Sequence, residues 1–145
     1  MSETNTKIPN WYWVVATILL LWNLMGIASF YMHVFISDEA LAALPENEAA
    51  LYGEYPMWTS IVFAIAVFGG TLGTVGLLIK RKWAKPIFIL SLIAIIIQMS
   101  HSLFLTESMV VYGAVQAMTM PILVVLIAIY EITLANKAIG KGWIS

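Results

Sequence analysis

Four stretches of this chain are too long and too apolar to sit on the surface of a water-soluble protein. A helix needs about 20 mostly apolar residues to cross about 30 Å of hydrocarbon. The stretch 11–36 carries no ionised residue, 57–79 stops at Lys80, 86–105 follows a basic turn, and 109–135 completes the set. Of the 145 residues, 61% are hydrophobic and 10% charged, whereas a soluble domain is roughly half apolar and about a quarter charged. A chain this short has too much surface for its volume to hide that many apolar side chains from water. The expected fold is therefore all-α: an integral membrane four-helix bundle forming a single domain over 1–145. Its first apolar run is longer than a signal-peptide core, and no small-x-small cleavage site follows it. It is expected to stay as an anchor.

Charge in the connections sets an expected orientation. The 37–56 loop holds Asp38, Glu39, Glu46, Glu48 and Glu54 with no Lys or Arg, and the 80–85 loop holds Lys80, Arg81, Lys82 and Lys85 with no acid. The last connection has only Glu107, the tail has Lys137 and Lys141, and the N-terminal arm has Lys7 with Glu3. Lys and Arg near span ends stay cytoplasmic. Both termini and the basic loop are thus expected inside, and both acidic connections outside. Trp11, Tyr12, Trp13, Trp83, Tyr130 and Trp143 then fall near the inner interface, and Tyr31, Tyr55, Trp58 and Tyr112 near the outer one, where amphipathic rings are favoured. Trp22 falls mid-span. In the outer loop, Ser37 or Asp38 can cap a short helix, Pro45 ends it, and a further turn or two fits Glu46 to Tyr52. The loop reads as a lid or as a solvated connection.

Several function classes drop out. Seven basic residues against eight acidic ones leave no bulk charge for nucleic acid. Without cysteine there is no disulfide, thiolate metal site, cysteine nucleophile or c-type haem attachment. No acid–base or nucleophilic constellation is visible, so no catalytic residue, metal or cofactor is expected. Glu131 lies about 33 Å from the start of the fourth span, which places it at the inner interface beside the basic loop. The spans then lack an ionisable group at depth, which disfavours a proton-driven transporter.

The membrane-depth residues carry the rest. Gly69, Gly73 and Gly76 line one face of the second span, with Ala66 and Gly70 on an adjacent face and Gly26 complementary in the first. Small residues let helix backbones approach closely in lipid. Asn23 sits about 18 Å into the first span. Ser91, Ala94, Gln98 and His101 share one face of the third span, and Tyr112, Gln116 and Thr119 one face of the fourth. Gln98 and Gln116 are expected to meet, either as interhelical glue or as a polar pocket in the outer half of the bundle formed by Asn23, Gln98, His101, Tyr112, Gln116 and Thr119. Pro121 removes a backbone donor and clashes with the Ala117 carbonyl, marking a kink or hinge. His33 and His101 share a leaflet, so a b-type haem between helices is a minor alternative.

The segments FAIAVFGGTLGTVGLLIKRKWAKP, ILSLIAIIIQMSHSLF and YGAVQAMTMPILVVLIAIY resemble a group of small four-span bacterial membrane proteins often labelled sugar transporters. The likeness runs from about Pro56 to the C-terminus, with a weaker match around WN and NLMG of the first span. It implies the bacterial inner membrane and solute transport, and it assigns no substrate residues. Solute transport or binding, a non-catalytic accessory subunit, and a haem- or quinone-associated protein are the three readings. Beyond the lipid bilayer, the expected partners are a small polar solute, a second copy, or another membrane protein.

Overall fold

The computed structural model describes residues 8–106 and 108–145, so expectations about Glu3, Lys7 and Glu107 lie outside the described residues. All regular structure there is helical: α1 Asn10–Val34, α2 Asp38–Ala42, α3 Glu46–Tyr52, α4 Met57–Leu78, α5 Ala84–Phe104, α6 Ser108–Tyr112 and α7 Ala114–Gly140. Four of these, α1, α4, α5 and α7, are long and apolar enough to cross a membrane. Ile18, Leu21, Ile61, Leu72, Ile93 and Leu126 are each more than half exposed. In water that much bare aliphatic surface is prohibitive, whereas in hydrocarbon it costs nothing.

The short helices follow from local chemistry. Ser37 caps α2, its Oγ accepting the Ala40 N–H at 3.1 Å, which satisfies one of the orphan donors at a helix start. Pro45 precedes α3. Pro86 is tolerated inside the first turn of α5, where its missing N–H has no intrahelical acceptor.

The fourth span differs from the expected 109–135 helix. Gly113, at φ 83°, separates α6 from α7, and α7 then runs on to Gly140. A backbone turned into positive φ cannot continue a helix, and Gly adopts it without a Cβ clash. At the far end, Gly142 at φ 74° ends α7 in a Schellman motif. Its N–H bonds the Ile139 carbonyl at 3.1 Å and the Trp143 N–H bonds Ala138 at 2.9 Å. The same motif ends α4, where Lys80 N–H bonds Leu77 at 3.2 Å and Arg81 N–H bonds Gly76 at 2.8 Å. There the left-handed position, φ 64°, is held by Lys80 rather than by glycine.

In the bundle α4 is central, packed on α1 and on α5, and α5 in turn packs on α7. The glycine face makes this possible. A Cβ at Gly73 would lie 2.5 Å from the Phe88 ring, and one at Gly69 would lie 3.2 Å from Ser91 Cβ. A Cβ at Gly70 would strike the Asn23 amide oxygen. Gly76 faces Trp83 and Ala84, and Gly26 faces Val67.

At the basic-turn end the core is closed by Tyr12, Leu77, Phe88, Leu134, Trp143 and Ile144. The tail is pinned there, with Ser145 N–H bonding the Lys80 carbonyl at 3.1 Å and Lys82 N–H bonding the Ser145 carbonyl at 3.2 Å. Tyr12 and Trp143, expected among the interfacial rings, pack inside instead. Tyr12 is 0% exposed, its hydroxyl donates to the Leu77 carbonyl at 2.8 Å, and its ring meets Trp143 edge-on at 5.6 Å.

Candidate functional site

Helices α1 and α7 flank the α4–α5 pair without packing closely on each other, and a polar cluster bridges them. Asn23 of α1 donates from Nδ2 to Glu131 Oε2 at 2.7 Å, to the Leu19 carbonyl at 2.8 Å and to Thr74 Oγ1 at 3.0 Å. Thr74 of α4 donates to the Gly70 carbonyl at 2.8 Å, with its hydroxyl 3.4 Å from the same carboxylate oxygen. Ser91 of α5 donates to the Ala66 carbonyl at 2.6 Å. Asn23, Thr74, Ser91 and Glu131 are all buried. Each side chain sits on the small-residue face of its helix, where a backbone close by leaves room for a polar atom.

Glu131 corrects the expectation of a carboxylate at the inner interface paired with the basic loop. It is nine residues before the end of α7, about 14 Å along the helix, and it turns inward to Asn23 and Thr74. Lys85 Nζ donates instead to Asn136 Oδ1 of the same helix at 3.0 Å. Contrary to expectation, the long helices therefore hold a buried ionisable group. A signal for this was present in the sequence. Ala128, Glu131, Leu134, Ala135 and Ala138 form one buried face of α7, at the i, i+3, i+4, i+7 spacing of a core stripe.

Next to this cluster lies a cavity of about 310 Å³ lined by α1, α4, α5, α7 and Tyr55. On α1 it reaches from Trp22 and Asn23 to His33, about 16 Å along the helix axis. One end is polar through Asn23 and Glu131, and the other through His33, Tyr55 and Ser102. The middle is mostly apolar, with Met25, Phe63, Ala66, Val67, Ile95, Met99 and Val124 on its walls and the Ser29 side chain among them. Gln98 also lines it, is 7% exposed, and has no hydrogen-bond partner on Oε1.

A second cavity of about 370 Å³ lies toward the acidic-loop end, lined by α3, α5, α6 and the start of α7. It shares His33, Tyr55, Met99, Ser102 and Met120 with the first. The Tyr55 hydroxyl and Ser102 Oγ are 2.9 Å apart and hydrogen-bonded. His33 stacks on Tyr52 at 4.9 Å and meets Tyr55 edge-on at 4.8 Å. These side chains form the wall between the two spaces. Partial burial first, and then the negative charge of Glu48 and of the ionised phenols of Tyr52 and Tyr55, raise the Tyr112 pKa.

The residues singled out in the sequence separate into two groups. Asn23, Gln98 and His101 are buried, while Tyr112, Gln116 and Thr119 are exposed. Gln98 lines the first cavity and Gln116 the second, with no hydrogen bond between them. The reason is register. Gln116 is two residues into α7 and Gln98 six from the end of α5, so the glutamines lie at different depths. Thr119 bonds its own helix at Val115 at 2.6 Å. Pro121 lies within α7, which is continuous through it, and lines the second cavity beside Ala117.

His101 lines neither cavity, and its Nδ1 is unpartnered. It packs on Trp58 at 5.2 Å and on Tyr55 at 5.5 Å. The Tyr55 ring thus contacts both His101 and His33, so a haem slot between these imidazoles does not fit the geometry. No group of three or more His, Cys, Asp or Glu among the described residues is placed to hold a metal ion. Thr74, Glu131, Tyr55 and Ser102 are the site residues that sequence reasoning missed. Comparison with protein-family models, with curated proteins and with solved structures gives no match in any of the three.

Proposed function

We propose that this chain is a multi-pass membrane protein that binds a small solute in the cavity between its four long helices, as a transporter or solute-binding protein. One observation supports this above the others. The cavity runs from a polar cluster at Asn23 and Glu131 to a second polar group at His33, Tyr55 and Ser102, with an apolar waist between them. Pockets that bind small molecules combine apolar walls with a few placed polar groups in this way. The charge pattern favours both termini and the basic turn in the cytoplasm, which opens the second cavity to the outside. The likeness to four-span bacterial proteins labelled sugar transporters favours the inner membrane and the same class of role. Glu131 adds the intramembrane ionisable group that coupled transporters use.

The test is thermal unfolding of the detergent-purified protein against neutral sugars, amines and organic acids. At least one solute raises the midpoint of the wild type and fails to raise that of Val124→Trp, which fills the cavity. Gln98→Leu keeps the unliganded midpoint and weakens binding. A panel without any shift, at concentrations well above ordinary affinities, contradicts the proposal.

A second reading, as a subunit that packs against another chain or copy, is favoured by α7. None of its residues before Ala128 is buried. Cross-linking in native membranes distinguishes the two, since a subunit gives one defined adduct through this half of α7 and a self-contained binder gives none.

A further inference from the structure

We propose that the solute taken by this cavity is a cationic amphiphile: a primary or secondary amine with an apolar body. The proposal rests on the cavity being a solute site, and it names the chemical class. Two acceptors are left open at the Glu131 end of the cavity and beside it. Both contacts made to the Glu131 carboxylate fall on Oε2, so Oε1 has no donor among the described residues. The Gln98 oxygen, on a side chain 7% exposed, also has none. A buried acceptor without a donor carries a desolvation cost of roughly 1–3 kcal/mol, more for a charged group.

The donors nearest Glu131 are already in use. Asn23 Nδ2 has three acceptors within reach for its two hydrogens. Thr74 donates to Gly70, and Tyr55 and Ser102 bond each other. No Lys or Arg lines the cavity. A carboxylate held among apolar walls without a cation is strongly disfavoured and tends to take up a proton, so a cationic ligand is the partner that would stabilise its ionised form.

An ammonium head offers two or three N–H donors, enough for both open oxygens, together with the charge that Glu131 lacks. Its apolar body fits the waist beside Trp22 and Phe63, whose ring faces also attract cations. A sugar fits poorly, because most of its hydroxyls would meet apolar wall and lose their water. An anion fits worst, because its head would face the carboxylate.

The experiment uses three probes of one skeleton: phenylbutylamine, phenylbutanol and phenylbutyrate. Binding to the purified full chain is read by tryptophan fluorescence and by thermal shift. The amine is expected to bind at least tenfold more tightly than the alcohol, and the acid not at all. Glu131→Gln lowers amine affinity tenfold or more and leaves the weak binding of the alcohol unchanged. Gln98→Leu lowers amine affinity several-fold.

Equal binding of amine and alcohol, tighter binding of the acid, or an unchanged amine affinity in Glu131→Gln overturns the proposal. If a sugar or the alcohol binds best and Val124→Trp abolishes that binding, the cavity remains the solute site and only the cationic class is wrong. If no probe and no sugar binds, both readings fail. Should Glu131→Gln not fold, the ranking of the three probes on the wild type decides.

Discussion

The two ends of this bundle are built differently. At the basic-turn end, glycines bring α4 against α1 and α5, and two Schellman motifs close the helices. There the C-terminal tail pairs with the turn, and Tyr12, Phe88 and Trp143 fill the remaining space. Toward the acidic-loop end, α6 and α7 are split by Gly113, no residue in the first half of α7 is fully buried, and two cavities share one wall. The polar cluster of Asn23, Thr74 and Glu131 lies at the boundary between these regions. Lipid offers no hydrophobic drive between helices, so close backbone packing has to hold them together. Concentrating that packing at one end leaves the other free to form cavities.

Substitutions at the two ends should therefore differ in cost. The largest effect is expected for Gly73→Leu, which drives a side chain into Phe88 at the tight end. Overpacking costs about 1–3 kcal/mol and occasionally more, and this site belongs at the top of that range. Thermal unfolding in detergent measures it, and a loss below 1 kcal/mol would show that the tight end can yield.

At the boundary, Asn23→Leu strips Glu131 of its shortest donor and is expected to destabilise by about 1–3 kcal/mol. The double variant with Glu131→Leu should recover part of that loss, because an apolar pair leaves no unsatisfied group. The cycle of single and double variants reports the coupling. Additive losses would mean that the two side chains do not act on each other.

A smaller effect, of opposite sign, is expected at the turn. Lys80 holds a left-handed conformation that costs an L-residue roughly 1–2 kcal/mol, so Lys80→Gly should stabilise by about 1 kcal/mol. Smallest of all is the open half: Gln116→Leu, exposed at the start of α7, should change stability by less than about 0.5 kcal/mol. A large loss there would mean that the acidic-loop end is held together by polar contacts after all.

The sequence made the four long apolar helices legible because their length and lack of charge leave few alternatives. It also made the glycine face legible, since a run of small residues at helical spacing has few uses in lipid. The division between α6 and α7 was harder to read. Gly113 sits in an apolar run that looks continuous, and only its positive φ breaks it. That shift moved Gln116 toward the end of the bundle and away from Gln98. It also belongs with the misreading of Glu131. With α7 ending near 135, a glutamate at 131 belongs at the interface, whereas a helix running to Gly140 carries it inside. Which polar residues meet depends on helix offsets of one or two turns, and hydropathy does not encode those.

The central claim is that Gln98 and Glu131 face the cavity between the helices and not lipid. The chain has no cysteine, so single introduced thiols report directly. In proteoliposomes, Gln98→Cys is expected to react with a small cationic methanethiosulfonate and to be protected by a ligand that fills the cavity. Ile97→Cys, one residue away on the 45% exposed outer face, should stay unreactive in hydrocarbon. Reaction at Ile97→Cys with none at Gln98→Cys, or equal silence at both, would contradict the account.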